Sequence, residues 1–365
     1  MKKISLIGST GSIGRQVIKT VLRHPDEFEI TALVANKQSA EFESQKQLLK
    51  PAFSALASED KTGALSAAEY ADADIIFNAA GGFAGLEYSL RAVQAGKTLA
   101  LANKETLVCG GEIIMPLAKK TGAKILPVDS EHSAIWQCLG FECGKPFKRL
   151  IITASGGAFR GMTAEELKGV TPEQALNHPT WKMGRKITVD SATLMNKGYE
   201  VIEAHVLYNA PYERIETVIQ LQSIIHSMVE FDDGAILAQM SYPTMELPIS
   251  LALTYPERLD TSLSPMDFKG AFSIDFQPMK REDFPCFDLA LKCGGAGGIM
   301  PCVLNAADEV AVYAFLDGKI AFTDIYNVVS AVCGKFTNEK AASFNQLAEV
   351  DSAARRKAEE AVALI

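Results

Sequence analysis

The chain has 365 residues, enough for two or three compact domains, since single cores seldom grow beyond roughly 250 to 300 residues. Hydrophobic residues make up 48% and charged residues 22%, the balance of an ordinary globular chain rather than a disordered or membrane-spanning one. With 36 basic against 44 acidic side chains the net charge is -8, and no dense basic block exists, so a surface made to cover nucleic-acid phosphates is excluded.

The apolar run Ile4 to Ile7 stops at Gly8, too short for an export signal, and no stretch of about 18 uncharged apolar residues is present to span a membrane. The seven cysteines form no CxxC pair, which predicts free thiols and a cytoplasmic protein.

In chain order, Ile4 to Ile7, Ile30 to Val34, Ile75 to Asn78 and Thr98 to Leu101 read as buried strands alternating with helices. That alternation predicts a doubly wound α/β domain over residues 1–120, with a parallel sheet covered on both faces. Between the first strand and its helix stands Gly8-Ser9-Thr10-Gly11-Ser12-Ile13-Gly14. Its glycines permit a tight turn and close approach to a pyrophosphate, while the helix N-terminus offers amides and dipole, the signature of a Rossmann-type dinucleotide site. The second strand ends in Asn36-Lys37-Gln38-Ser39, without the carboxylate that would bind the ribose hydroxyls of NADH. Lys37 beside Asn36 suits a 2′-phosphate, so NADPH is expected; a solvated surface lysine is the plainer alternative.

Residues 121–260 continue as a central α+β catalytic domain with a mixed sheet. Strands are expected at Ile125 to Val128 and Leu150 to Thr153, and a run from Val218 to Met228 pairs with Ile236 to Met240 across Asp232-Asp233-Gly234. Asp129 and Glu131 follow a strand end and, in extended chain, point the same way, so their repulsion invites a divalent cation; an N-cap with a solvated neighbour is the alternative. Asn103-Lys104-Glu105 lies at another strand end, where Lys104 could stabilise developing negative charge; a salt bridge with Glu105 or its neighbours is the alternative. Ser155-Gly156-Gly157 is a second anion nest.

Two capping boxes, at Thr163 and Thr171, predict short helices leading to a loop at residues 178–185 with Trp181 at its tip, read as a flap. Asp190-Ser191-Ala192-Thr193 is expected to start a helix that offers Ser191 and free amides to a phosphate, with Asn196, Lys197 and Glu200 on one face. A solvated face with ordinary charge pairs is the alternative. Gly198 inside that helix implies a close approach. Residues 261–285 read as a linker, and 286–365 as a C-terminal helical bundle.

These segments together resemble the 1-deoxy-D-xylulose 5-phosphate reductoisomerase family nearly end to end. The motifs are GSTGSIG from Gly8, NKE from Asn103, VDSEHSAIWQ from Val128, SGGAFR from Ser155, HPTWKMGRKITVDSATLMNKGYEVIEA from His178 and IHSMVEF from Ile225. The resemblance implies an NADPH-dependent enzyme requiring Mg²⁺ or Mn²⁺, homodimeric, acting on a small phosphorylated sugar to make an isoprenoid precursor. It implies Asp129, Glu131 and Glu200 as metal ligands with Lys104 beside them. Ser155, His178, Ser191, Asn196 and Lys197 would bind substrate, chiefly its phosphate, and Ser130 its carbon backbone. Thr10, Gly11, Ser12, Ile13, Asn103, Glu105 and Gly184 would contact NADPH, and Trp181 and Met183 would close the flap. The chain departs from the family at Asn36 and Gln38, and at Glu246, where a basic residue is more usual. A metal-free NADP-dependent dehydrogenase and a dinucleotide-sensing regulator share the N-terminal motif, but neither needs the carboxylates.

Overall fold

Short apolar runs separated by helices make the first sheet. In the computed structural model, which describes residues 1–261 and 263–365, they are β1 (Lys2–Ile7), β2 (Phe28–Ala35), β3 (Phe53–Leu56), β4 (Ile75–Asn78), β5 (Thr98–Leu101) and β6 (Ile125–Pro127). Ser262, part of the expected linker, lies outside the described residues. The order is β3-β2-β1-β4-β5-β6 with every pair parallel, the doubly wound arrangement expected. Ile4, Leu6, Ile76 and Leu99 are fully buried, because crossover helices cover both faces. The sequence pattern missed β3, a half-exposed edge strand interrupted by Ser54. Pro127 is tolerated because β6 is the other edge.

The helices in this part are α1 (Ser12–Arg23), α2 (Ala40–Leu49), α3 (Lys61–Ser66), α4 (Ala84–Gln94), α5 (Glu105–Thr121) and α6 (Ser130–Cys138). Then follow β7 (Arg149–Ala154), α7 (Ala164–Leu167), α8 (Pro172–Ala175), α9 (Arg185–Thr193), α10 (Met195–Tyr208), β8 (Ile215–Gln220), β9 (Ile225–Glu230), β10 (Ile236–Met240), α11 (Glu246–Thr254) and β11 (Phe276–Pro278). Four helices finish the chain: α12 (Pro285–Ala296), α13 (Met300–Leu316), α14 (Asp324–Cys333) and α15 (Phe344–Val362). The chain divides into two compact units, one of residues 1–106, 114–133 and 244–265, the other of 107–113, 134–243 and 266–365.

In the first unit α11 returns to pack on α1. The Lys2 ammonium donates to the carbonyls of Leu253, Thr254 and Tyr255 at 3.0–3.1 Å, satisfying the end of α11. Glu246, the acidic departure, pairs with Arg23 at the end of α1.

The second unit holds a mixed sheet in the order β10-β9-β7-β8-β11. The Asp232-Asp233-Gly234 turn closes the antiparallel β9 and β10 as expected, with Gly234 at φ +86°. The expected single run from Val218 to Met228 is instead two strands on opposite sides of β7, because Ser223 at φ +54° turns the chain. The linker also carries more structure than expected: β11 within it pairs with β8. Both capping boxes are present, the Thr163 and Thr171 hydroxyls accepting from Glu166 N and Gln174 N. The approach at Gly198 is helix packing, since a Cβ there would lie 2.4 Å from that of Ala290 on α12.

Candidate active site

The turn after β1 is shaped by backbone requirements. Gly8 sits at φ +84°, and a Cβ on it would lie 2.5 Å from the Ala79 carbonyl oxygen; one on Gly14 would lie 2.3 Å from that of Gly8. The amides of Gly8 and Ser9 both donate to Val34 O at 2.9 Å, which pins the turn to β2. Gly11 stands at the start of α1, no side chain caps the helix, and no acid occupies its first turn. The amides of Ser12 and Ile13 thus stand at the positive end of a dipole with no capping side chain, a setting that fits a pyrophosphate. Asn36 and Lys37 are exposed past the end of β2, and the nearest acids along the chain are engaged elsewhere, Glu41 with Arg15 and Glu43 with Lys46 and Gln38.

Asn103, between β5 and α5, is almost fully buried. Its amide donates to Ala80 O and Gly82 O, both at 3.0 Å, and to Glu105 at 2.7 Å, while its oxygen accepts from Thr106. It therefore ties the loop after β4 to the start of α5.

The acidic pair follows β6, but not in extended chain. Ser133 N donates to Asp129 O at 2.8 Å, so Asp129 caps α6 and Glu131 lies in its first turn. The expected i, i+2 strand geometry is corrected accordingly: helix formation starts two residues earlier than the apolar run suggested. The two carboxylates still converge, with one oxygen of each within 4.8 Å of the other. Lys104 bonds Asp129, the His132 Nδ1 lies 3.7 Å from it, and Ser130 Oγ donates to Glu131 at 2.6 Å. Burial would raise the Asp129 pKa, yet Lys104 and His132 together hold it well below the usual carboxylate range. The i, i+3 spacing of His132 from Asp129 is the signal by which the sequence could have shown it. An oxygen-donor pair of converging carboxylates fits a hard divalent cation.

In the second unit, Ser155 follows β7 and hydrogen bonds the His178 Nε2 at 2.9 Å. His178 Nδ1 accepts from the amides of Thr180 at 3.1 Å and Trp181 at 3.0 Å. Nδ1 is thus the unprotonated nitrogen and Nε2–H the donor. Burial, helped by Arg160, pushes this imidazole down to about 4. The loop from His178 to Gly184 is further held by Thr180 Oγ1 against Ser223 Oγ at 3.2 Å and by Trp181 edge-on to His226. Neither Ser223 nor His226 was singled out from the sequence, because Ser223 lies on the turn before β9 and His226 on β9 itself, both far along the chain from the loop they meet.

Ser191 does not open a helix. Asp190 to Thr193 are the last residues of α9, Leu194 breaks the chain at φ +55°, and α10 starts at Met195. The expected free amides at Ser191 are therefore absent, and the helix start belongs to Asn196 and Lys197. A Cβ on Gly157, at φ +71°, would lie 2.4 Å from Ser191 O, so the Ser155 loop and the end of α9 are in contact. In α10, Asn196 donates to Glu200 at 2.6 Å and Lys197 pairs with the same carboxylate, which is 1% exposed.

A dinucleotide turn and a carboxylate pair at the carboxyl ends of one parallel sheet define an α/β oxidoreductase of the metal-assisted kind. Family profiles described as 1-deoxy-D-xylulose 5-phosphate reductoisomerase match residues 4–68 and 58–111, and profiles for its C-terminal domains match 125–208 and 240–357. The chain belongs to the 1-deoxy-D-xylulose 5-phosphate reductoisomerase family. The enzyme of that name from Thermodesulfovibrio yellowstonii is 45% identical, over 99% of this chain and 100% of its own length; that from a Geobacillus species is also 45% identical, over 98% of both. A crystal structure of DOX-P reductoisomerase in complex with NADPH, fosmidomycin and magnesium superposes with a TM-score of 0.94 at 33% identity, covering 100% of this chain and 99% of that one. The Zymomonas mobilis enzyme in complex with NADPH gives 0.88 at 38% identity, covering 99% of each chain.

Proposed function

We propose that this chain converts 1-deoxy-D-xylulose 5-phosphate to 2-C-methyl-D-erythritol 4-phosphate, by isomerisation to a branched aldehyde phosphate and reduction with NADPH. The observation that carries this reading is that Asp129 and Glu131 follow β6 and the Gly8 to Gly14 turn follows β1, at the carboxyl ends of strands in one parallel sheet. When bound, Mg²⁺ or Mn²⁺ polarises a substrate carbonyl and acidifies a neighbouring hydroxyl, and NADPH supplies the hydride. By the family resemblance, Asp129, Glu131 and Glu200 would hold it, each offering a carboxylate oxygen of the kind a hard divalent cation takes.

Lys104 balances the Asp129 charge and, with substrate present, stabilises negative charge developing on oxygen. Ser130 orients Glu131 and touches the sugar. Ser155, Ser191, Asn196 and Lys197 hold the phosphate, and His178 donates through Nε2. Trp181 and Met183 close over the substrate and exclude water. Thr10, Gly11, Ser12 and Ile13 take the pyrophosphate, Asn36 and Lys37 the 2′-phosphate, and Glu105 and Gly184 the rest of the cofactor, with Asn103 acting through the loops it ties.

Two further assignments complete the reading. The protein is a homodimer: β10 is an edge strand without a charged residue, and Ile236 and Leu237 on it are 49% and 50% exposed, an edge natural proteins cover. Sedimentation of Leu237→Lys is expected to show a monomer. It is also cytoplasmic, in keeping with seven free cysteines, and no described helix is long and apolar enough to cross a membrane.

The test of function is oxidation of NADPH by the purified protein when 1-deoxy-D-xylulose 5-phosphate and Mg²⁺ are added. No oxidation, or full activity after exhaustive chelation, defeats the reading.

A further inference from the structure

The charges on α9 oppose its own dipole. Lys186 lies in the first turn and Asp190 in the last, where a helix favours the reverse signs, and Lys preceding Asp at i, i+4 is the weaker order. What holds them is tertiary. Lys186 Nζ lies 2.6 Å from Asp190 and 2.7 Å from Asp308 of α13, and Tyr199 of α10 donates to Asp308 at 3.1 Å. The same ammonium sits 5.0 Å from the centre of the Tyr199 ring.

Asp190, Tyr199 and Asp308 are all buried. Replacing a buried ion group with apolar residues is often neutral or stabilising, so stability alone gives no reason for this one; fixing register does. The grip falls on both sides of a single weak joint. Lys186 and Asp190 precede the left-handed Leu194, Tyr199 follows it, and Ser191, Asn196 and Lys197 lie between the gripped residues.

We infer that Asp308, Lys186 and Tyr199 are positioning residues for the substrate phosphate, by which the C-terminal helices set the angle between α9 and α10. This rests on the proposed phosphate role of Ser191, Asn196 and Lys197. Because the Ser191 carbonyl packs against Gly157, the same grip fixes the Ser155 loop.

Steady-state kinetics of the full-length protein with NADPH and Mg²⁺ provide the test. Asp308→Asn keeps one acceptor oxygen, which Lys186 and Tyr199 can still share, but removes the charge, and Tyr199→Phe removes one hydrogen bond while keeping the ring. Both are expected to raise KM for 1-deoxy-D-xylulose 5-phosphate about tenfold, with kcat and the KM for NADPH within about twofold of the parent. A lowered melting temperature with both KM values unchanged, or an equal rise in both, overturns the positioning role. Ser191→Ala and Asn196→Ala address the underlying reading. If neither raises KM for the sugar phosphate, that reading fails and takes the inference with it; if both do while Asp308→Asn and Tyr199→Phe do not, only the inference falls.

Discussion

The turn after β1 and the segment from His178 to Glu200 are both proposed to meet phosphate, but they are made differently. The first is backbone: its glycines are required by a positive φ and by contacts that a Cβ would break, and its donors are amides at a helix start. The second is side chain: Ser155 with His178, and Asn196 and Lys197 with Glu200, each placed by a partner distant in the chain or by a helix break at Leu194. A backbone site should fail by losing affinity and local structure together. A side-chain site should lose chemistry while the fold persists.

The sharpest separation comes at the carboxylates. Glu131→Gln and Glu200→Gln keep size but remove charge, and each is expected to lower kcat about a thousandfold and weaken the response to Mg²⁺, with the melting temperature little changed for Glu131→Gln and lowered for Glu200→Gln, whose charge is buried against Lys197. A variant that keeps most of its turnover in limiting Mg²⁺ removes that residue from the ligand set. Gly14→Ala should behave in the opposite way. With its Cβ placed 2.3 Å from the Gly8 carbonyl oxygen, the turn must shift, which is expected to cost about 2 kcal/mol of stability and to weaken NADPH about a hundredfold in a fluorescence titration. Parent-like NADPH binding in this variant would place the dinucleotide elsewhere.

The same difference explains what could be read from the sequence. Gly8, Gly11 and Gly14 announce their turn, because a constraint on the backbone is visible as residue type, and the strands of the parallel sheet announce themselves as unbroken apolar runs. The helix break at Leu194 gave no such signal. No Gly or Pro marks it, and Asp190-Ser191 reads locally as a helix start, so Ser191 was assigned to the wrong end of a helix. Asp129 and Glu131 were singled out for their mutual repulsion, and their carboxylates do converge, but from a helix start and not from extended chain. Thr180, Ser223 and Lys186 with Asp308 take their meaning from contacts between segments far apart in sequence, which neither periodicity nor spacing records.

His178 offers a pH test of the side-chain region. Its folded pKa, about 4, lies below the unfolded value of 6.5, so between these values the unfolded chain binds more protons. Stability due to the neutral ring is complete above about pH 6.5 and declines as the pH falls towards about 4. Protonating Nδ1 also ends its acceptance from the Thr180 and Trp181 amides. Trp181 fluorescence, measured in a Trp136→Phe background, is expected to stay flat from about pH 8 to about pH 5 and to change around pH 4. A transition near pH 6.5 would mean that His178 is neither buried nor held by those amides.

The smallest expected effect tests the exposed margin of the backbone site. Lys37 is surface-exposed, so any contact with a 2′-phosphate is screened by water and salt and contributes only about 1 kcal/mol. Lys37→Ala should therefore weaken NADPH several-fold, roughly fivefold at low ionic strength, and leave NADH unaffected. The difference should shrink as salt is raised, since the contact is electrostatic and lies outside the turn that holds the pyrophosphate. Equal weakening of both cofactors would show that Lys37 acts on the shape of the turn between β2 and α2, and selection of the 2′-phosphate would then rest on other groups.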